Sequence, residues 1–241
     1  MRRMAIIGSA VLALTACATL AAAEEPDARD RGRVDSDRSA RAPAQAFEAT
    51  VGLGYTQGFG QIARGGANDV NDVANVGVGV DVGFSERLTP RLSLGFDAQY
   101  SEYSTGSTLD SSSSARGAAF DVNVQYHFAP FRRVDPWLKL GTGYRMLWQA
   151  PEQGANTLWH GLDLVKAQAG VDFRSTSSVA LGPMVGADLD VFLWTKRDGV
   201  ANTALADPRV STFVYAGIQG RFESGGRRVE DATLPRSARR N

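Results

Sequence analysis

Apolar and polar residues alternate along much of this chain, most regularly in ANVGVGVDVGF, from Ala74 to Phe84. Valine stands at every second position from 76 to 82, with glycine or aspartate between. Successive side chains of a β-strand point to opposite faces, so this pattern predicts a strand with one valine face and one small or acidic face. A soluble sheet buries its valines, whereas a membrane barrel turns them to lipid and its polar residues to the interior. The stretch alone fits both.

The same alternation recurs between residues 46 and 222 and predicts eight strands separated by turn-rich gaps. The predicted strands are Phe47–Tyr55, Ala74–Phe84, Leu92–Tyr100, Ala118–Phe128, Leu138–Trp148, Leu162–Phe173, Val179–Leu193 and Val214–Phe222. In the sixth strand the apolar residues change from even to odd positions at Leu164, which predicts a bulge there. Pro183 in the seventh strand lacks a backbone donor and predicts a second bulge.

The gaps between these strands alternate between long and short. The longer gaps are Gly60–Asn75, Ser104–Arg116, Gln149–Gly161 and Thr195–Arg209, and the shorter ones are Ser85–Arg91, Ala129–Pro136 and Arg174–Ser178. Each strand is also close to the roughly 9–11 residues that cross a bilayer at a tilt. We therefore predict an all-β fold, an eight-stranded antiparallel transmembrane β-barrel with short periplasmic turns and longer extracellular loops.

Aromatic residues concentrate at both ends of the predicted strands. Near the short turns stand Phe47, Phe84, Tyr126, Phe128, Trp137, Phe173 and Phe222. Near the long loops stand Tyr55, Phe59, Tyr100, Tyr103, Phe120, Tyr144, Trp148, Trp159, Trp194 and Phe213. Two aromatic girdles with aliphatic residues between them are typical of a barrel that crosses a lipid bilayer. This distribution places the valine face of Ala74–Phe84 toward lipid.

With that face outward, many charged residues point into the barrel. We expect the lumen to contain Glu48, Asp81, Asp97, Asp121, Lys139, Arg145, Lys166, Asp172, Asp188, Asp190 and Arg221. An eight-stranded barrel is only wide enough for its own side chains, and buried charges must pair. We therefore predict a polar and ionic plug without a continuous water path. Strand pairing suggests that Glu48 meets Arg221 and that Asp121 meets Arg145.

The N-terminus has the form of a secretory signal. Arg2 and Arg3 precede an apolar run that ends in three alanines, which predicts a signal peptide over residues 1–23 with cleavage after Ala23. The stretch LTAC, ending at Cys17, is also similar to a bacterial lipobox, so cleavage before a lipidated Cys17 is the alternative. Either route exports the protein from the cytoplasm.

The segments on either side of the barrel contain few apolar residues. Residues 24–45 mix both charges, and residues 223–241 contain paired arginines and glycines. Such segments cannot bury enough surface to offset their ordering entropy, so we predict that both are disordered and lie in the periplasm. The formal net charge of the whole chain is zero, which gives no indication of nucleic-acid binding.

Eight strands, the C-terminal stretch YAGIQGRF ending at Phe222 and the signal together resemble the small outer-membrane barrels of Gram-negative bacteria. This class includes the OmpA transmembrane domain, OmpX and OmpW. The resemblance implies an integral outer-membrane protein with a structural or surface-interaction role, and contact with the barrel assembly machinery through the C-terminal strand. An OmpW-like conduit for small apolar molecules is the alternative, and it predicts an apolar inner wall. The polar tail after Phe222 departs from the usual terminal strand.

No residue pattern predicts a catalytic, cofactor-binding or metal site, and we expect a monomer. The two histidines, His127 and His160, suggest a lipid A-modifying barrel enzyme as a third possibility, but no serine lies near His160 in the sequence. Outer-membrane lipids are the expected partners. Basic residues in or beside the long loops are candidates for the phosphates of lipopolysaccharide, namely Arg64, Arg116, Lys196, Arg197 and Arg209.

Overall fold

The computed structural model describes residues 42–64, 69–104, 114–152 and 154–227. Its elements in chain order are β1 (Ala44–Gly60), α1 (Val70–Val73), β2 (Val76–Thr89), β3 (Leu92–Tyr103), β4 (Ser114–His127), β5 (Val134–Ala150), β6 (Thr157–Arg174), β7 (Val179–Arg197), β8 (Thr203–Ala204) and β9 (Val210–Arg227). The predicted signal peptide and the outer parts of both predicted disordered segments lie outside the described residues.

Eight of the strands close into an antiparallel barrel. Each of β1 to β6 pairs with the next strand in the sequence, β7 pairs with β9, and β9 pairs with β1, which closes the barrel. The additional strand β8 is short and pairs only with the loop end of β7, where Trp194 faces Ala204. The predicted fold class is confirmed. Neither β8 nor α1 was predicted, because each is too short to produce a periodic pattern.

The two predicted bulges have different outcomes. In β6, Asp163 faces Asp190 while Val165 faces Leu189, so Leu164 is the extra residue that a bulge requires. The bulge at Pro183 was a wrong prediction, because the register with β9 continues through it without a shift.

Pro183 is accommodated in another way. The β6–β7 ladder is interrupted between the pairs Phe173–Leu181 and Gly170–Met184, and the register is the same on both sides. The missing backbone N–H of Pro183 therefore removes hydrogen bonds between β6 and β7, but β7 has no extra residue at this point.

The strands are longer than the predicted ones. The eight barrel strands run from 12 residues in β3 to 19 residues in β7. The barrel begins at Ala44 and ends at Arg227, beyond the predicted limits of 46 and 222. Most of the predicted loop Gln149–Gly161 is strand as well, since β5 reaches Ala150 and β6 starts at Thr157.

The outward face of the barrel is apolar, as the alternation predicted. In β2, Val78 is 63% exposed whereas Asp81, on the opposite face of the same strand, is 3% exposed. The exposed large apolar residues include Leu53, Phe96, Val122, Leu140, Leu181 and Ile218, which come from six different strands. No helix among the described residues is long and apolar enough to span a membrane.

The aromatic girdles are only partly as predicted. At the turn end, Phe47, Phe128 and Phe222 are about half exposed on the outer wall. Four aromatic residues assigned to the girdles instead point inward and are buried, namely Tyr103, Trp137, Trp159 and Phe213. The prediction is wrong for these four residues because the pleat, and not the position along the strand, determines which face a side chain occupies.

Candidate functional site

The interior of the barrel is the region where polar chemistry collects. All eleven charged residues expected in the lumen are at most 3% exposed, namely Glu48, Asp81, Asp97, Asp121, Lys139, Arg145, Lys166, Asp172, Asp188, Asp190 and Arg221. They form two groups at different heights, and an apolar group lies above them near the long loops.

The first group, which we call the turn-end cluster, lies near the short turns. Its members are Glu48, Arg87, His127, Asp135, Asp172, Arg174, Arg221 and Glu223, and each is at most 6% exposed. They come from six of the barrel strands, so their contacts tie together strands that are distant in the sequence.

Glu48 on β1 is the centre of this cluster. Its Oε1 accepts a hydrogen bond from Arg87 Nε at 2.6 Å, and its Oε2 lies 3.3 Å from Arg221 Nη1. Ser85 Oγ donates to the same Oε2 at 2.9 Å. One carboxylate thus receives donors from β2 and β9, the two strands that flank β1. Charge-assisted bonds of this kind are among the stronger hydrogen bonds in proteins.

Glu223 on β9 is a second centre. Arg174 donates to it from Nη1 at 3.0 Å and from Nη2 at 2.8 Å, which makes a bidentate pair. Arg87 Nη2 donates to the same carboxylate at 2.8 Å. Glu223 belongs to the segment predicted to be a disordered tail, and that prediction is wrong for this residue because β9 continues past it.

The remaining acids of the turn-end cluster also have several partners. Asp172 accepts from Arg221 Nε at 2.7 Å and from Trp137 Nε1 at 3.0 Å. Asp135 lies 2.8 Å from His127 Nδ1 and accepts the backbone N–H of Ala129 at 3.0 Å. Buried charges with complete hydrogen bonding hold their strands in one arrangement.

The second group, which we call the mid-barrel cluster, lies one layer further toward the long loops. Its members are Asp81, Asp97, Asp121, Lys139, Arg145, Asp163, Lys166, Asp188 and Asp190. Lys139 Nζ donates to Asp97 at 2.8 Å, and Lys166 Nζ donates to Asp121 at 2.7 Å. These lysines reach across the lumen, since neither partner is on an adjacent strand.

Arg145 on β5 binds the two acids of β7. Its Nε donates to Asp190 Oδ1 at 2.9 Å, and its Nη2 donates to Asp188 Oδ2. Tyr215 Oη donates to the other oxygen of Asp188 at 3.1 Å. The guanidinium carbon also stands 4.3 Å from the centre of the Phe213 ring, so this arginine connects the charged layer with the apolar layer above it.

Several carboxylate oxygens of the mid-barrel cluster have no hydrogen-bond partner among the described residues. Both oxygens of Asp81 and Asp163 are in this position, and so is one oxygen each of Asp121 and Asp190. Asp163 and Asp190 are direct cross-strand partners. Like charges directly opposite each other destabilise a sheet, so this cluster is less well satisfied than the one at the turn end.

The third group is the apolar plug, at the loop end of the lumen. It consists of Ile62, Val70, Val73, Ala74, Tyr103, Ala115, Leu147, Trp159, Phe192 and Phe213. Val70 and Val73 come from α1, which the loop after β1 folds into the barrel mouth. A side chain at Gly58 would clash with Val70 and Phe213, at 2.5 and 2.9 Å, so glycine there makes room for the helix.

The turn end of the barrel is covered by backbone. Ala42 N donates to Pro130 O at 2.9 Å, and Ala42 is 1% exposed. Because two strands separate β1 from β4, the chain entering β1 crosses the opening to reach the β4–β5 turn. The lumen therefore contains side chains at three heights, with a backbone crossing below them.

Of the two expected pairs, the structure forms one. Glu48 and Arg221 meet, as described above. The expected pairing of Asp121 with Arg145 was wrong, because Asp121 faces Gly143 and Arg145 faces Ala119 on the neighbouring strand. The β4–β5 hairpin offsets the two by one pleat, and Lys166 takes the position beside Asp121.

Several buried charged residues are not among the predicted lumen residues. Four of them lie in segments predicted to be turns or tail, namely Arg87, Asp135, Arg174 and Glu223. Continuing each alternation by a few residues would have found them, since Arg87 has the same parity as Asp81. Asp163 was missed for another reason, because the bulge at Leu164 reverses the parity of everything before it.

The histidines have structural partners. His127 contacts Asp135, Gln125 and Arg87 inside the turn-end cluster. His160 is on the outer wall, where Nδ1 is bonded to the Tyr144 hydroxyl and Nε2 to Asn202. Neither set includes a serine. Across the described ranges, no group of three or more histidine, cysteine or acidic side chains is placed to hold a metal ion.

Comparisons with known proteins agree with this architecture. Neisserial surface protein A has a similar structure, with a TM-score of 0.51 and 12% identity over 73% of this chain and 96% of that one. This chain has the fold of the small outer-membrane β-barrels. OprG of Pseudomonas aeruginosa also matches, with a TM-score of 0.49 and 11% identity over 76% of this chain and 99% of that one. No family model and no curated protein matches the sequence.

The fold of the small outer-membrane barrels accounts for both faces of this chain. Its outer wall presents aliphatic residues between aromatic ends, and its interior carries the charges. At 12% identity the likeness to Neisserial surface protein A concerns the fold alone.

Proposed function

We propose that this protein is an integral outer-membrane barrel that is sealed to solutes and has a structural or surface-interaction role. The observation that carries the proposal is the filling of the lumen by the turn-end cluster, the mid-barrel cluster and the apolar plug. A pore needs a continuous polar path, and an apolar conduit needs an open apolar wall. The packed ionic layers favour neither.

Location in the outer membrane is part of the proposal. It is supported by the apolar outer wall, where Val78, Val122 and Leu53 are more than half exposed. Water would make such a surface a strong aggregation site, whereas lipid makes it stable. The short turns then face the periplasm, and the longer loops face the cell exterior.

Two measurements test the location. Fractionation should place the protein in outer-membrane vesicles, and unboiled samples should migrate faster on gels than boiled ones, because a barrel stays folded in detergent. Recovery from the soluble periplasm with no heat-dependent shift would contradict the proposal.

The sealed lumen is tested separately by liposome swelling. Liposomes containing the purified protein should swell in arabinose no faster than protein-free liposomes, while a general porin in parallel liposomes gives the positive control. Swelling in proportion to the amount of folded protein would contradict the seal and favour the transport alternative.

A further inference from the structure

The outer wall has a recess near the long loops, on the side formed by β3 to β7. Its volume is about 520 Å³, and the residues that line it include Tyr100, Arg116, Trp148, Leu158 and Lys196. The recess is separate from the lumen, because Arg116 and Lys196 are exposed on the outward face. It contains both apolar and cationic side chains at a height where the wall approaches water.

Strand register explains how these residues come together. Arg116 on β4 faces Trp148 on β5, Trp148 faces Leu158 on β6, and Leu158 faces Lys196 on β7. The four residues, which we call the rim row, thus follow one another across four strands. Neighbouring strands lie about 4.8 Å apart, so the backbones of the two cationic ends are roughly 14 Å apart.

The rim row lies at the height of lipid headgroups if the long loops face outward, as proposed above. The row one pleat below it contains Met146, His160 and Trp194 on the same strands. Outward aromatic residues of this kind mark the membrane interface. One pleat is about 7 Å along a strand, so Arg116 and Lys196 stand just beyond the interface while Trp148 and Leu158 continue the apolar wall.

The charges around the recess leave both cations accessible. Arg116 Nε is 3.8 Å from Glu102 Oε1, and both side chains are more than half exposed, which is a loose pair. Glu102 also accepts a hydrogen bond from the Tyr100 hydroxyl at 3.2 Å. Asp198 lines the recess and accepts the backbone N–H of Asn156 at 3.3 Å. Among the recess-lining residues, two cations face one carboxylate.

We propose that the rim row binds a lipid of the outer leaflet that carries two phosphate groups. The phosphates accept charge-assisted hydrogen bonds from Arg116 and Lys196, and the acyl chains lie along Trp148 and Leu158. The two cations are separated by an apolar pair, so each can bind one phosphate of a wide headgroup that is anionic at both ends. Such a headgroup should therefore bind more tightly than one with a single phosphate. The inference depends on the proposed orientation of the barrel.

The test compares defined lipids on the purified, folded protein. Native mass spectrometry in detergent should give an affinity for diphosphoryl lipid A about tenfold higher than for monophosphoryl lipid A. Arg116→Gln and Lys196→Gln should each remove that preference, while Arg91→Gln, which removes an exposed cation at the turn end of the barrel, should retain it. Glu102→Gln should strengthen binding of the diphosphoryl lipid because it removes a nearby negative charge.

One further variant tests the contribution of the apolar side chains of the rim row. Trp148→Ala should weaken the binding of both lipids to a similar extent, since it removes a contact with the acyl chains without changing the charge of the site. Equal affinity of the wild type for the two lipids would overturn the inference, and so would a preference that survives Arg116→Gln and Lys196→Gln together. Heat-modifiable migration of each variant distinguishes this failure from failure of the barrel itself.

Discussion

The turn-end cluster and the mid-barrel cluster both consist of buried charged side chains, yet the hydrogen bonding of those side chains differs between them. At the turn end, four carboxylates face three arginines and a histidine, and the unpartnered side-chain atoms of its charged residues are the donors Arg174 Nε and Arg221 Nη2. In the mid-barrel, six carboxylates face three cations, and the unpartnered atoms are carboxylate oxygens of Asp81, Asp121, Asp163 and Asp190.

This difference follows from which cations each layer contains. The turn-end cluster uses arginine, whose planar fork bonds two or three acceptors at once, as Arg87 does with Glu48 and Glu223. The mid-barrel cluster relies partly on Lys139 and Lys166, each of which donates a hydrogen bond to a single carboxylate, and the second contact of Lys166, with Asp81, is a longer ion pair of 3.8 Å. We infer that the turn-end cluster contributes most to barrel stability and that the mid-barrel cluster mainly fills the lumen.

The largest expected effect comes from the centre of the turn-end cluster. Glu48→Ala leaves Arg87 and Arg221 buried with one partner fewer, and should lower the free energy of unfolding by about 3–5 kcal/mol. Urea unfolding of the refolded protein in lipid vesicles, followed by tryptophan fluorescence, measures this change. Glu86→Ala is the matched control, because Glu86 is exposed on the outer wall of β2 and should change little.

A double-mutant cycle sharpens this prediction. Glu48→Ala and Arg221→Ala should show a coupling free energy of about 1–3 kcal/mol, since the two side chains share a direct ion pair. Additive effects of the two substitutions would contradict the register of β1 with β9.

A smaller loss is expected for Asp172→Asn. The amide keeps one acceptor oxygen but removes the charge that binds Arg221 Nε, so the free energy of unfolding should fall by about 1–3 kcal/mol. The same unfolding assay measures it. A variant as stable as the wild type would show that the turn-end cluster does not depend on complete pairing.

The smallest effect, with the opposite sign, is expected in the mid-barrel cluster. Asp163→Asn removes one surplus negative charge and supplies amide donors beside Asp190, its cross-strand partner. The free energy of unfolding should stay unchanged or rise by about 1 kcal/mol. A loss as large as that of Asp172→Asn would eliminate the contrast between the two clusters.

Much of the fold follows directly from the sequence, because apolar residues at every second position of a barrel strand indicate which of its faces contacts lipid. The outward valines of β2 and the bulge at Leu164 are both indicated by the alternation of apolar and polar residues in the sequence. What the sequence does not reveal is how far each strand extends past its apolar part. Arg87 and Glu223 were therefore missed, although they complete the turn-end cluster.

The individual contacts were less predictable than the faces. Cross-strand neighbours depend on hairpin offset, and an offset of one pleat was enough to separate Asp121 from Arg145. Contacts across the lumen, such as Lys139 with Asp97, connect strands that are not adjacent, and no spacing in the sequence indicates them. The apolar plug was also missed, since α1 has only four residues and shows no periodicity.

The central claim is that the lumen is closed, and planar-bilayer recording of the purified protein tests it most directly. We predict no stable current steps from the wild type, because two charged layers and the apolar plug fill the interior. Steady single-channel conductance, with a size that changes in Asp121→Ala or Arg145→Ala, would contradict the account and establish a path through the mid-barrel cluster.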